Sequence, residues 1–192
     1  FSVTVFGIPS PPTLASNSPI CAGQTLSLTA TTIVGASYSW TGPNSFSSTL
    51  QNPTISGVTL AAAGTYSVLV NVSGCGSAVS TIAVSVNPTP AAPTAGSNSP
   101  LCAGSTINLT ASNIAGATYN WSGPNSFTST TQNPSIPGGT PAMSGIYNVT
   151  VTTAAGCTNT AFSNVLVNPA PVPNIITNSP ICVNNVLMLS GT

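Results

Sequence analysis

The chain has 192 residues and contains no Lys, Arg, Asp, Glu or His, where an ordinary protein carries roughly 25% charged residues. Its formal charge is zero, which excludes an attractive surface for nucleic-acid phosphates and removes the repulsion that keeps copies apart in solution. The polar surface has to be built from Ser, Thr, Asn and Gln, and these break every apolar run short of a membrane-spanning length.

Residues 1–12, FSVTVFGIPSPP, read as the last strand of a preceding repeat, because the pattern returns as VSVNPTP at 84–90 and VLVNPAP at 165–171. A first full repeat is expected over 13–90. Its leading segment, SNSPICAG, is followed by QTLSLTA, in which Leu26, Leu28 and Ala30 alternate inward. An aromatic strand comes next, with Ala36, Tyr38 and Trp40 on the buried face. A Gly-Pro-Asn-Ser turn at 42–45 then leads to a short strand opened by Phe46. Further on, Tyr66, Val68, Val70 and Val72 share one face of a strand. A tight SGCGS hairpin at 73–77 leads to a final strand whose expected inward face is Ile82, Val84 and Val86.

A second repeat is expected over 91–171. Ile107, Leu109 and Ala111 alternate as before, and Tyr119 with Trp121, then Tyr147, Val149 and Val151, take up the later patterns. Residues 172–192 read as the first strands of a truncated following repeat. The stretches 36–53 and 117–134 agree at 13 of 18 positions, and 117 − 36 gives an offset of 81 residues. Similarity at a fixed period is the mark of an array of small domains. Short strands at regular spacing with turn signals between them point to an all-β chain, one β-sandwich per repeat of about 81 residues.

Trp40 on an early strand, with Ala63-Gly64-Thr65-Tyr66 opening a late one, resembles the immunoglobulin-like pattern. The longer motif SNSPxCAG…LTA…YxWxGPNSF…QNP…GxYxV…GC is similar to the Ig-like or PKD-like repeats of very large secreted surface proteins of Bacteroidota, and it covers essentially the whole chain. The resemblance implies tandem immunoglobulin-like sandwiches with Trp40, Trp121, Tyr66 and Tyr147 in the cores. The two tyrosines would be corner residues bonded back to the backbone. It also implies an adhesive or structural role outside the cell. In two respects the sequence departs from that pattern. Ala62 and Met143 stand where many such domains carry Asp, and Val68 and Val149 stand where the inter-sheet disulfide of antibody domains has a Cys.

Proton transfer would have to rely on Tyr and Cys alone, and no base exists to activate a Ser or Thr nucleophile. Zinc lacks its His, Asp and Glu ligands, and calcium would have only neutral oxygens. No catalytic residue, metal site or cofactor is therefore expected, and the chain does not read as an enzyme. Trp40 and Trp121 could stack on sugars if exposed, but their place in a period-two strand assigns them to the core.

Five cysteines remain as candidates for disulfides: Cys21, Cys75, Cys102, Cys157 and Cys182. Pairing within repeats would give Cys21–Cys75 and Cys102–Cys157. If the repeats are Ig-like sandwiches, however, Cys21 and Cys75 lie at opposite ends of one, about 20 Å apart, and a disulfide needs Cα atoms within roughly 7 Å. Domains following head to tail would instead bring Cys21 to Cys157. Cys75 would then bond into a preceding repeat, and Cys102 and Cys182 would await hairpins further along. This inter-domain pairing is favoured.

These features point to a structural repeat protein that builds an extracellular rod or filament on a bacterial surface. The alternatives are the stalk of a cell-surface adhesin whose binding module lies elsewhere, or a carbohydrate-binding module. The expected partners are neighbouring repeats or further copies of the same chain, without nucleic acid or membrane insertion. A glycan or surface ligand is left open.

Overall fold

The computed structural model describes residues 7–172, 174–184 and 186–191. The final strand of a preceding repeat, expected over 1–12, falls in part on residues 1–6, outside the described residues. Residues 7–12 contain no strand.

The described chain is all β apart from three single 3-10 turns. It divides into two compact units. The first spans residues 1–92 and also includes Ile114–Thr118 and Val151–Asn159. The second takes in Pro93–Asn113, Tyr119–Thr150 and the chain from Thr160 onward.

The first unit contains β1 (Leu14–Ser16), β2 (Ile20–Cys21), β3 (Leu26–Ala30), β4 (Ala36–Gly42), β5 (Phe46–Ser48) and β6 (Thr54–Ile55). After these come β7 (Gly64–Val72), β8 (Cys75–Gly76), β9 (Ser80–Val84) and β10 (Val86–Asn87). One sheet has the order β1-β3-β6. The other runs β5-β4-β7, with β8 and β9 both pairing β7. In immunoglobulin lettering these are A-B-E and C′-C-F-G, the strand sets of an immunoglobulin-like sandwich. The fold is thus immunoglobulin-like by its own topology.

Alternation decides which residues form the core. On β3, Leu26, Leu28 and Ala30 are buried, and on β4 so are Tyr38 and Trp40. From β7 they meet Tyr66, Val68 and Val70, all fully buried. Each such aliphatic side chain withdrawn from water contributes about 1.5–3 kcal/mol. Val72, at the end of the same face, is only half-buried.

The last strand departs from the expectation of a single segment with Ile82, Val84 and Val86 inward. It breaks twice. Between β8 and β9, Ser77 is buried, and its hydroxyl accepts from the Val70 amide at 3.2 Å. At Ser85 the chain leaves β7 altogether. The Ser85 amide donates to Ser18 Oγ at 2.8 Å, and its carbonyl accepts from the Ile20 amide at 3.2 Å. Beyond it, β10 pairs in parallel with β2, Val86 opposite Ile20 and Asn87 opposite Cys21. Val86 therefore serves a different sheet from Val84 and is half-buried, as Ile82 is.

The later strands are β11 (Ala95–Ser97), β12 (Leu101–Cys102), β13 (Ile107–Ala111), β14 (Thr118–Gly123), β15 (Phe127–Ser129) and β16 (Ser135–Ile136). They continue with β17 (Gly145–Thr152), β18 (Thr158–Val165) and β19 (Val167–Asn168). Their sheets are β11-β13-β16 and β15-β14-β17-β18, and β12 pairs in parallel with β19. Ile107, Leu109, Ala111, Tyr119, Trp121, Tyr147, Val149 and Val165 are buried. Beyond them β20 (Ile175–Thr177) pairs antiparallel with β21 (Leu189–Gly191). In that terminal pair Leu189 is 67% exposed, whereas Leu28 of β3 is 1% exposed.

Candidate functional site

Two clusters of recurrent residues and one covalent bond stand out from the sandwich framework. The first cluster surrounds Tyr66. A 3-10 turn over Leu60–Ala62 brings the Ala62 carbonyl beneath the ring, and the Tyr66 hydroxyl donates to it at 3.0 Å. This is the tyrosine corner. Tyr147 makes the same bond to the Met143 carbonyl at 2.9 Å. The bond ends on a backbone oxygen, so the Asp missing from position 62 or 143 is not needed for it. Burial raises the pKa of both phenols above the ordinary value of 10.0, because the anion would lose its hydration.

The Gly-Pro-Asn-Ser-Phe turn closes over the same ring. Phe46 meets Tyr66 edge-on with ring centroids 5.4 Å apart, and Phe127 meets Tyr147 at 5.6 Å. Asn44 and Ser45 both have positive φ, 55° and 56°, and the Phe46 amide donates to the Pro43 carbonyl at 3.1 Å. Two successive left-handed residues give the hairpin turn that follows the natural twist of its strands. Pro43 packs on Gly64, whose φ of 143° suits glycine.

The second cluster is the Gln-Asn-Pro segment, which sequence inspection had not assigned a role. Trp40 is fully buried, and its indole N–H donates to the Gln51 carbonyl at 3.3 Å. The Gln51 side-chain amide donates to the Ala30 carbonyl at 2.7 Å, and Asn52 Oδ1 accepts from the Ala30 amide at 3.1 Å. The Pro53 carbonyl accepts from the Leu28 amide at 3.0 Å. Gln51 to Pro53 thus occupy the edge of β3 that β6 leaves unpaired. The later copy repeats this: Trp121 to the Gln132 carbonyl at 3.1 Å, Gln132 to the Ala111 carbonyl at 2.8 Å, and Ala111 to Asn133 at 2.9 Å. The recurrence of QNP 81 residues apart was the available signal. Because both indoles are fully buried, neither can serve as a stacking platform for a sugar.

The covalent bond joins Cys21 to Cys157, 136 residues apart, with Cα atoms separated by 5.6 Å. Cys21 does not bond Cys75. Both bonded cysteines belong to the first compact unit, which includes Val151–Asn159. Cys21 sits in β2, a two-residue strand that the Pro-punctuated leading segment did not announce, while Cys157 follows Gly156 (φ 79°) and is buried. Cys75 is half-buried on β8, and Cys102 and Cys182 are exposed thiols.

Among the described residues no group of three or more His, Cys, Asp or Glu lies close enough to hold a metal ion. Each aromatic corner borders a shallow cleft, about 240 Å³ beside Tyr66 and 210 Å³ beside Tyr147, lined by apolar side chains and the turn. These clefts contain no charged group and no activated nucleophile.

No known protein family and no curated protein matches the chain. Solved structures do. Murine CEACAM1b is 14% identical, with 83% of this chain and 100% of that one aligned, at a TM-score of 0.43. Extracellular domains 3–5 of Drosophila OTK are 14% identical over 82% of this chain and 62% of that one, at 0.46. Three N-terminal domains of the bacteriophage RB49 outer capsid protein Hoc are 18% identical over 95% and 69%, at 0.39.

Proposed function

We propose that this chain is a structural segment of an extracellular rod or filament on a bacterial surface, built from tandem sandwiches of about 81 residues. The observation that carries the proposal is the Cys21–Cys157 bond, which ties residue 21 to a hairpin 136 positions later. A covalent tie over that span resists pulling, and it suits an oxidising compartment outside the cytosol. The complete lack of charge agrees with a protein whose surface meets its own kind. No helix among the described residues is long and apolar enough to cross a membrane. The resemblance to Ig-like repeats of large Bacteroidota surface proteins supports the same placement.

Electron microscopy of the purified chain and of native surface material tests the proposal. Periodic fibres whose repeat matches the sandwiches would support it. Isolated particles that never associate would favour the adhesin stalk, with binding carried by another module.

A further inference from the structure

We infer that Cys102 is the receiving half of a second disulfide, and that its partner is Cys75 of another copy of this chain. The inference rests on the structural-segment proposal and names the contact by which segments would join.

The setting of Cys102 reproduces that of the bonded Cys21. Around Cys21, β2 pairs in parallel with β10, and the Ala22 amide donates to the Asn87 carbonyl at 2.8 Å. Gly23 follows with φ 89°, its amide on the Val58 carbonyl at 2.8 Å, and the Gln24 amide returns to the Cys21 carbonyl at 3.1 Å. Around Cys102, β12 pairs in parallel with β19, and the Ala103 amide donates to the Asn168 carbonyl at 2.8 Å. Gly104 follows with φ 89°, its amide on the Gly139 carbonyl at 2.8 Å, and the Ser105 amide returns to the Cys102 carbonyl at 3.1 Å. At the first seat, Cys157 is in place, with its sulfur 4.0 Å from the Asn87 carbonyl oxygen. The second seat has the same backbone and an exposed thiol.

The chain also carries a second cysteine of the incoming kind. Cys157 directly follows Gly156 in a turn closed by the Thr153 amide on the Cys157 carbonyl at 2.9 Å. Cys75 directly follows Gly74 (φ 89°), whose amide donates to Asn71 Oδ1 at 2.9 Å, at the head of β8. The two hairpins differ by one residue, since 157 − 75 is 82 while 147 − 66 for the corner tyrosines is 81. Cys182 lacks such a seat, because residues 181–182 belong to no strand. With zero formal charge, nothing electrostatic opposes the approach of a second copy.

The bond forms by two thiol–disulfide exchanges with a small disulfide such as oxidised glutathione. The Cys102 thiolate attacks it, forming a mixed disulfide and releasing one glutathione thiol. The Cys75 thiolate of the second copy then displaces the other. Two protein thiols are oxidised, one glutathione disulfide is reduced, and the two protons leave on the glutathione thiols.

The test is incubation of the purified chain in a glutathione redox buffer, followed by non-reducing electrophoresis and disulfide peptide mapping. A ladder of multimers containing a Cys102–Cys75 peptide is expected. Cys102→Ser or Cys75→Ser alone should abolish the ladder, and Cys182→Ser should leave it intact. Mixing the Cys102→Ser and Cys75→Ser variants should restore a linked dimer and nothing larger, which also shows that both variants fold. Recovery of Cys102 only as a thiol, as a glutathione adduct, or joined to Cys102 or Cys182 would overturn the inference. If Cys21–Cys157 is found in the same map, that failure leaves the structural-segment proposal standing. If Cys21–Cys157 is also missing, both fall.

Discussion

Gly42 lies flat against the ring of Tyr66, so close that a Cβ at position 42 would collide with Cδ1 and Cε1 of that ring. Gly123 stands in the same relation to Tyr147. The glycine that opens each turn is thus fixed by a side chain 24 residues away (66 − 42) rather than by its own backbone. Gly42→Ala is expected to cost about 1–3 kcal/mol by forcing the ring or the strand aside. Gly7→Ala, with nothing near its Cα, should stay within about 0.5 kcal/mol of the parent. Denaturant midpoints measured on the two variants check the contrast.

The Gln-Asn-Pro clamp yields a local prediction. Ala30 is buried, and its amide has Asn52 Oδ1 as its acceptor. Asn52→Ala should therefore destabilise the fold by about 1–3 kcal/mol, the cost of a buried donor left without a partner. Hydrogen exchange gives the specific readout. The Ala30 amide should lose protection in the variant, while that of Val68, which lies on β7, should change only in step with global stability.

Much of this arrangement could be read from residue order, and the parts that could not share a cause. Period-two alternation places Leu26 and Leu28, Tyr38 and Trp40, and Tyr66 to Val70 without further information, and all of them are buried. The Ala-Gly-x-Tyr pattern indicates the corner. Strand direction in an immunoglobulin-like sandwich argues against Cys21–Cys75, and Cys21 is found bonded to Cys157. By contrast, β2 and β10 have two residues each, too few for any period, and their parallel pairing depends on Ser18 and Ser85 meeting across 67 residues. Gln51 and Asn52 carry polar groups that could serve many acceptors and donors, so their partners are settled only when β3 and β4 are in place. The role of Gly42 is likewise invisible until Tyr66 is packed on it.

The Cys21–Cys157 bond should be the main covalent source of stability. Closing a loop of 136 residues removes chain entropy from the unfolded state worth about 5 kcal/mol. Reductant should lower the unfolding midpoint of the parent and of Cys102→Ser alike. A Cys21→Ser/Cys157→Ser double variant should already unfold at the lower midpoint and show no response to reductant. Equal midpoints for the parent with and without reductant would show that the bond adds no stability.

The pH dependence of stability should be unusually one-sided. With no Asp, Glu, His, Lys or Arg side chain, only termini, thiols and phenols titrate. The unfolding midpoint should therefore stay nearly level between about pH 5 and pH 8, where unperturbed Tyr and Cys remain largely protonated. Burial holds Tyr66 and Tyr147 above the value of 10.0 that an exposed phenol shows. The folded state thus keeps these protons more tightly than the unfolded state. Their contribution is complete below the unfolded pKa and is lost as pH rises through the folded one, so stability should fall on the alkaline side. Replacing both residues by Phe should lower the plateau, since the bonds to Ala62 and Met143 disappear, and should also make the alkaline decline shallower. Thermal unfolding followed across pH, with tyrosinate absorbance recorded in parallel, measures both effects. An alkaline decline of unchanged steepness in the Phe variant would assign it to groups other than the two corner tyrosines.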